Sequence, residues 1–147
     1  MQNSFYASGF LYSLKTHQIL LLSSLKDDTS SVWSTPCGES KEREEALVTF
    51  QRIISETLNI NLIKKHIYPV YDYFHDALGK INYVFYAEVG KNKIFNASKK
   101  GTPLWVSFSE IVKLSFSGRT KQDVVVGERV INAKRLDDEA SKSNIIS

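Results

Sequence analysis

The sequence predicts a mixed α/β (α+β) domain in which helices flank a central sheet. Segments rich in β-branched and aromatic residues occur in groups separated by polar turns, and amphipathic helical periodicity lies between and after those groups. The 147 residues, 42% hydrophobic and 24% charged, have ordinary globular composition and can bury one core. We therefore expect a single domain over residues 1–136 and a flexible C-terminal tail over residues 137–147.

The first part of the chain predicts a strand pair followed by a helix. Residues 4–14 and 18–24 have strand composition around a Lys-Thr-His turn, and residues 26–32 form a polar loop. Helical periodicity begins near Glu44 and ends by Asn59, a residue type that readily adopts the left-handed conformation at a helix C-terminus.

The second part predicts another strand pair and two further helices. Residues 66–74 and 81–89 form the pair, and a long basic loop over residues 90–102 leads to a short strand at 104–106. Ser107 or Ser109 caps a brief helix that ends at Leu114, with Glu110 in its first turn. A final helix covers residues 121–136.

Composition excludes several classes of protein. A single cysteine, Cys37, excludes an internal disulfide and multi-cysteine zinc sites. The aliphatic run at 19–22 is too short to span a bilayer, and the N-terminus lacks the features of a secretory signal, so we expect a cytoplasmic protein without a membrane partner. The net charge of +3 is mild, and its local lysine cluster favours a phosphate-bearing small ligand over dedicated nucleic-acid binding.

The helix predicted from Glu44 has one apolar arc beside a charged one. At about 100° per residue, its apolar arc comprises Ala46, Phe50, Ile53, Ile54 and Thr57. Arg52 and Glu56 lie on the neighbouring arc and can pair along the surface, which contributes only a few tenths of a kcal/mol. The simplest interpretation is an amphipathic helix with its charges in water.

The order of residues from Trp33 to Ile60 supports a more specific interpretation. Trp-x-x-Pro precedes a glycine, a glutamate follows after five residues, and an arginine follows after seven more. This pattern resembles the Nudix box of the Nudix hydrolase superfamily, and the matching residues are Gly38, Glu44, Arg52, Ile54, Glu56 and Ile60. The chain departs from the box at three positions, where Ile53 and Thr57 replace glutamates and Asn59 replaces the closing glycine.

The segments around the box extend the resemblance over residues 4–115. Residues 4–24 look like the opening strand pair of the Nudix family, residues 81–89 look like a later core strand, and residues 104–114 look like its late strand and short helix. The resemblance implies a Nudix-like α/β/α sandwich with a mixed β-sheet.

The resemblance also implies a chemistry and its site residues. Nudix hydrolases cleave a diphosphate that links a nucleoside to another group, using Mg²⁺ or Mn²⁺ held by several carboxylates. The resemblance assigns Glu44, Arg52 and Glu56 as catalytic residues. It also assigns Glu56 and the Cys37 backbone carbonyl as weak metal ligands. Because isoleucine cannot coordinate a cation and threonine is a weak neutral ligand, one carboxylate remains of three on the helix.

Two hypotheses about function remain open. The first is a diphosphate hydrolase with a depleted metal site and weak or altered activity, in which nearby glutamates compensate; these are Glu39, Glu42, Glu44 and Glu45. The second is a non-catalytic module that binds a nucleotide or another phosphorylated ligand. The family often takes a further acid from the loop at 90–102, but here that loop contains lysines and no acid.

The ligand in either case is a nucleotide-like or diphosphate small molecule. Lys99 and Lys100 can hold its phosphates directly by charge. Tyr83, on an aromatic-rich strand, is a candidate for stacking on a base. We expect a monomer or a homodimer.

Overall fold

A mixed sheet lies between two helical layers in the computed structural model, which describes residues 3–24 and 31–146. The predicted α/β/α sandwich is therefore confirmed. The strands are β1 (Tyr6–Ser13), β2 (Gln18–Ser23), β3 (Val32–Ser34), β4 (Cys37–Glu39), β5 (Ile67–His75), β6 (Lys80–Val89), β7 (Thr102–Ser107) and β8 (Ser115–Phe116). The helices are α1 (Ala46–Leu58) and α2 (Thr120–Ile146), with 3₁₀ turns at Lys64–His66 and Phe108–Lys113.

Strand β1 is the centre of this eight-stranded sheet. The main strand order is β5-β6-β1-β2-β3-β8, while β4 pairs with β1 and β7 pairs with β2. Strands β1 and β6 are parallel from Tyr6↔Asn82 to Ser13↔Val89, and β4 is antiparallel to the start of β1. The glycine of the box-like sequence is thereby fixed against the central strand.

Helix α1 packs against one face of the sheet through its apolar arc. Phe50, Ile54 and Leu58 are buried there, as the helical periodicity predicts, and Ile53 is buried with them. Asn59 ends the helix in the left-handed conformation, and its N–H donates to the carbonyl of Ser55. The predicted helix and its C-terminus are confirmed.

The opposite face of the sheet packs against α2. Successive β1 residues alternate between the layers, so Phe10 and Tyr12 lie in the α2 layer while Leu11 lies in the α1 layer. In α2, Gly127 permits close approach, because a Cβ at this position would lie 2.5 Å from the Phe10 ring. Strand β1 is buried on both faces from Ala7 to Ser13, and its two buried serine hydroxyls donate to the side chains of Asn82 and Asn92.

The boundaries differ from the sequence predictions in two places. The end of the final helix at residue 136 is wrong, because α2 continues to Ile146. A Lys134–Asp138 ion pair of 2.9 Å spans the predicted boundary. The loop predicted at 26–32 ends earlier than expected, since Val32 begins β3, and its residues 26–30 lie outside the described residues. The short strands β3, β4 and β8 were not predicted.

We predict that Gly9→Ala destabilises the protein by about 3 kcal/mol, as overpacking of a rigid core does. A Cβ on Gly9 would lie 1.9 Å from the backbone oxygen of Phe85, which the β1–β6 ladder prevents from moving. Gly90→Ala is the control, because a Cβ there meets no atom within 4 Å. Chemical denaturation measures both free energies of unfolding, and equal values for the two variants would contradict this packing argument.

Candidate functional site

The candidate site is built on β4, the loop at residues 40–45 and helix α1. The chain enters it through Pro36, whose carbonyl accepts the N–H of Gly9 at 3.2 Å. Cys37 then pairs with Ser8, and Glu39 pairs with Tyr6. These backbone contacts fix the segment before the loop against the central strand of the sheet.

Arg52 joins the three parts of the site. Its Nε donates to Glu44 Oε2 at 2.7 Å, and its Nη2 donates to Glu44 Oε1 at 3.1 Å. The two side chains thus form a bidentate ion pair. Its Nη1 donates to Glu56 Oε1 at 2.8 Å, and Nη2 also donates to the backbone carbonyl of Glu39 at 2.8 Å. The structure therefore brings together the three residues assigned as catalytic, next to the loop that follows Gly38.

Glu44 connects the loop to the start of α1. Besides binding Arg52, its carboxylate accepts the Lys41 N–H at 2.8 Å and the Thr49 hydroxyl at 2.9 Å. The hydrogen bond from Arg52, with smaller contributions from Lys41 and Thr49, lowers the pKa of Glu44 to about 2. Glu44 is therefore ionised, and its carboxylate holds the loop at residues 40–45 against α1.

Of the three α1 positions at which the Nudix box has metal-binding glutamates, two carry uncharged side chains in this chain, Ile53 and Thr57. Ile53 is 1% exposed, and its Cγ1 lies 3.0 Å from where a Cβ on Gly38 would be. Thr57 Oγ1 lies 3.5 Å from Lys100 Nζ, and the Glu56 carboxylate is bound by Arg52. Because a divalent cation needs several free anionic oxygens, these residues do not fit Mg²⁺ or Mn²⁺.

The glutamates proposed to compensate are partly engaged elsewhere. Glu39 forms an ion pair with Lys80, and its carboxylate accepts the Ser4 hydroxyl at 2.6 Å. Glu44 is bound by Arg52. Across residues 3–24 and 31–146, no group of three or more His, Cys, Asp or Glu side chains has an arrangement that could hold a metal ion.

The basic loop brings Lys100 to the box segment. Lys100 contacts Thr57, and its positive charge also acts on the Cys37 thiol. Burial raises the pKa of that thiol, and the charge of Lys100 partly offsets the increase. Lys99 is exposed on the same loop. A cation therefore lies where the resembling family concentrates carboxylates.

Tyr83 lies apart from the polar face of the site. Its ring packs edge-on against Phe5, with 5.2 Å between the ring centres, and contacts the hydrophobic core under α1. The neighbouring Asn82 points to the other face of the sheet, since residues alternate along β6. Stacking of Tyr83 on a base remains a prediction, and it would have to occur on the α1 side.

A polar cavity of about 240 Å³, which the sequence did not predict, opens beside Cys37 on the α2 side of the sheet. Its centre is Asp123, which is 4% exposed and accepts the hydroxyls of Tyr71 at 2.7 Å and Tyr73 at 3.2 Å. Burial raises the pKa of Asp123, and burial also raises the pKa of Tyr73 to about 12. Asn82 donates to the Tyr73 hydroxyl and accepts from Ser8.

Two further polar groups of this cavity have no hydrogen-bond partner among the described residues. Arg119 lies over the Tyr73 ring, 4.2 Å from guanidinium carbon to ring centre, and its Nε is buried and unpartnered. His75 Nδ1 is likewise buried and unpartnered. The alternation of Tyr71, Tyr73 and His75 along β5 is visible in the sequence, but their approach to Asp123 is not. The cavity fits a polar ring with hydrogen-bond acceptors.

The fold and this site define a protein of Nudix fold. A MutT/Nudix family protein from Listeria innocua has a TM-score of 0.71 and 17% identity, covering 92% of this chain and 98% of that one. The Nudix domain of Shewanella oneidensis NrtR, solved with ADP ribose, has a TM-score of 0.69 and 13% identity, covering 89% and 90%. An Ap4A hydrolase from C. elegans has a TM-score of 0.63 and 15% identity, covering 88% and 98%.

Sequence comparison adds nothing to this assignment. No protein-family model matches the chain, and no curated protein matches it. The Nudix fold that the resemblance predicts is thus confirmed. Neither helix of the described residues is long and apolar enough to cross a membrane.

We predict that Glu44→Gln removes an acid-dependent part of the stability. Because the folded pKa of Glu44 is about 2 and the ordinary value is 4.5, its contribution is present above pH 4.5 and is lost as the pH falls towards 2. We expect a contribution of about 2 kcal/mol at pH 6.

Denaturation at several pH values between 2 and 7 measures this effect. Glu42→Gln is the control, since it removes the same charge from an exposed position of the same loop. If Glu44→Gln retains the full acid sensitivity of the wild type, Glu44 is not the group responsible.

Proposed function

We propose that this protein binds a nucleotide-like ligand containing a diphosphate and holds the phosphates with Lys100 in place of a divalent metal ion. The observation that carries the proposal is the 3.5 Å approach of Lys100 Nζ to Thr57 Oγ1, at a position where the resembling family has a metal-binding glutamate. A lysine ammonium offers three donors and a full charge to phosphate oxygens. Lys99, exposed beside it, adds to the positive potential.

The polar cavity gives the other end of such a ligand a place to bind. Cys37 lines the cavity, and the positive charge of Lys100 acts on its thiol, so Cys37 links the two regions electrostatically. Arg119 Nε–H is a buried donor without a partner, and an acceptor on the ligand would satisfy it. The ADP ribose bound to the Nudix domain of NrtR is a ligand of this type. ADP ribose is accordingly the first compound to test.

The alternative is a hydrolase that uses Mg²⁺ or Mn²⁺ with weak or altered activity. The observation that favours it is the intact network of Arg52 with Glu44 and Glu56, in which the Glu56 side chain is 49% exposed. Glu56 would have to exchange Arg52 for a metal ion. We rank this function second, because no neighbouring carboxylate joins Glu56 on the α1 arc. A cytoplasmic location, a monomeric or homodimeric state and the absence of a nucleic-acid partner stay predictions.

We expect ADP ribose to bind in the presence of a chelator, and Lys100→Ala to weaken that binding about tenfold or more, the usual effect of losing one charge-assisted hydrogen bond. Isothermal titration calorimetry with EDTA measures both affinities. Lys65→Ala, which removes an equally exposed charge outside the site, should bind as the wild type does. Binding that requires Mg²⁺ and tolerates Lys100→Ala would contradict the proposal.

A second prediction concerns restoration of the missing glutamates. Thr57→Glu should fold normally, because Thr57 is only half buried and faces Lys100. Adding Ile53→Glu should cost several kcal/mol of stability, since it buries an unpaired carboxylate in the core.

Thermal unfolding, and formation of AMP and ribose 5-phosphate from ADP ribose with Mn²⁺, test both variants. We expect slow AMP formation by the wild type, and we expect that Thr57→Glu alone does not raise its rate. A stable double variant with metal-dependent turnover would show that Ile53 is not fixed in the core. Fast wild-type turnover that is lost with EDTA would favour the hydrolase.

A further inference from the structure

A second cavity, of about 280 Å³, lies on the α1 side of the sheet and shares no lining residue with the polar cavity. It opens beyond the C-terminal end of α1, between the ends of β1 and β6 and the strand β7. Its lining is almost entirely apolar apart from two lysines and consists of Leu11, Ile60, Val89, Gly90, Lys91, Lys93, Phe95 and Trp105. Ile60, the last residue of the box-like segment, contributes to it, whereas Gly38, Glu44, Arg52, Glu56 and Lys100 do not.

The walls of this apolar cavity are held in place. Leu11, in the central strand, is 1% exposed and belongs to the core under α1. The Trp105 indole N–H donates to the backbone carbonyl of Lys93 at 2.9 Å, which ties the ring to the loop at 90–102. Phe95 of the same loop packs against that core. The cavity is open to solvent at its mouth, and its walls are side chains with defined contacts.

The mouth of the cavity is positively charged. Lys91 and Lys93 are exposed, and the Lys93 ammonium lies 6.0 Å from the centre of the Phe95 ring. The loop over residues 90–102 contains no aspartate or glutamate that could neutralise them. Since ammonium groups stay at the water boundary while apolar rings fill the interior, the site combines an apolar interior with a cationic rim.

We infer that this cavity binds a small amphiphilic organic anion, with an aromatic ring or a short aliphatic chain inside and a carboxylate on Lys91 and Lys93. An apolar pocket with a few convergent charged groups is the usual form of a small-molecule site. The volume of about 280 Å³ suits one or two fused rings and is too small for a peptide helix or a duplex. The inference is carried by a different part of the molecule and does not depend on the diphosphate site.

Two probes that differ only in charge test the inference: 2-naphthoate and the neutral 2-naphthamide. Tryptophan fluorescence reports binding, and Trp105→Phe identifies which of the two tryptophans responds, because Trp33 lies outside the cavity. We expect saturable binding of 2-naphthoate that a large excess of ADP does not displace. The naphthamide should bind about tenfold more weakly, since it lacks the attraction to the lysines.

Replacing lysines by glutamates distinguishes a specific effect of Lys91 and Lys93 at the cavity mouth from an effect of the protein's net charge. Lys91→Glu with Lys93→Glu should weaken 2-naphthoate at least tenfold and leave 2-naphthamide unchanged. Lys64→Glu with Lys65→Glu, which changes the net charge equally on an exposed turn outside the cavity, should leave both probes unchanged. Ile60→Phe, which fills the cavity, should abolish binding of both without lowering the unfolding midpoint.

Three results would overturn the inference. They are the absence of saturation by 2-naphthoate up to millimolar concentration, equal affinities for the two probes, and equal losses in the two charge-reversed variants. Circular dichroism of each variant confirms that the protein is folded before its affinity is measured.

Discussion

The ion pair between Arg52 and Glu44 is the interaction on which the shape of the candidate site depends. One guanidinium binds the carboxylate of the loop, the carboxylate of Glu56 on α1 and the backbone carbonyl of Glu39 on β4. The Arg52 and Glu44 side chains are 22% and 14% exposed, so water competes for these hydrogen bonds less than at an open surface. The same contacts that fix the loop also engage the acid groups, which leaves them poorly placed to bind a cation.

The exchange of glutamate for isoleucine at residue 53 changes the role of this helix turn. A carboxylate would have to remain in contact with water or metal, whereas Ile53 joins the core and packs against Gly38. Lys100 then approaches Thr57 from the basic loop. The charge beside Thr57 is therefore positive, which is the basis of the proposal that this region holds phosphates.

The alternation of side chains in the sheet places the two cavities on opposite faces. Ser8 and Asn82 point to the α2 layer, where they line the polar cavity with Asp123. Leu11 and Val89 point to the α1 layer and line the apolar cavity. Because β1 is parallel to β6 in one continuous register, both positions are fixed by the same ladder of hydrogen bonds. A single sheet thereby supports two chemically different cavities.

The sequence by itself determined the features that depend on neighbouring residues along the chain. The apolar arc of α1, its end at Asn59, the main strands and the box-like order from Gly38 to Ile60 follow from periodicity, composition and spacing. The short strands β3, β4 and β8 did not, because two or three residues carry too little periodicity to be recognised. The extension of α2 beyond residue 136 was also missed, since this segment is rich in Asp, Ser and Asn, which have low helix propensity, and has no apolar pattern to mark it.

Only the tertiary structure decided what surrounds each candidate residue. The hydrogen bond of Tyr71 to Asp123 joins positions 52 residues apart, and the approach of Lys100 to Thr57 joins positions 43 residues apart. The resemblance to the Nudix box marked Ile53 as a position where that pattern has a glutamate, but its burial against Gly38 required the packing of α1 on the sheet. Local patterns arise from interactions within a few residues, whereas cavities, charge pairs and burial arise from contacts that form only when distant segments pack together.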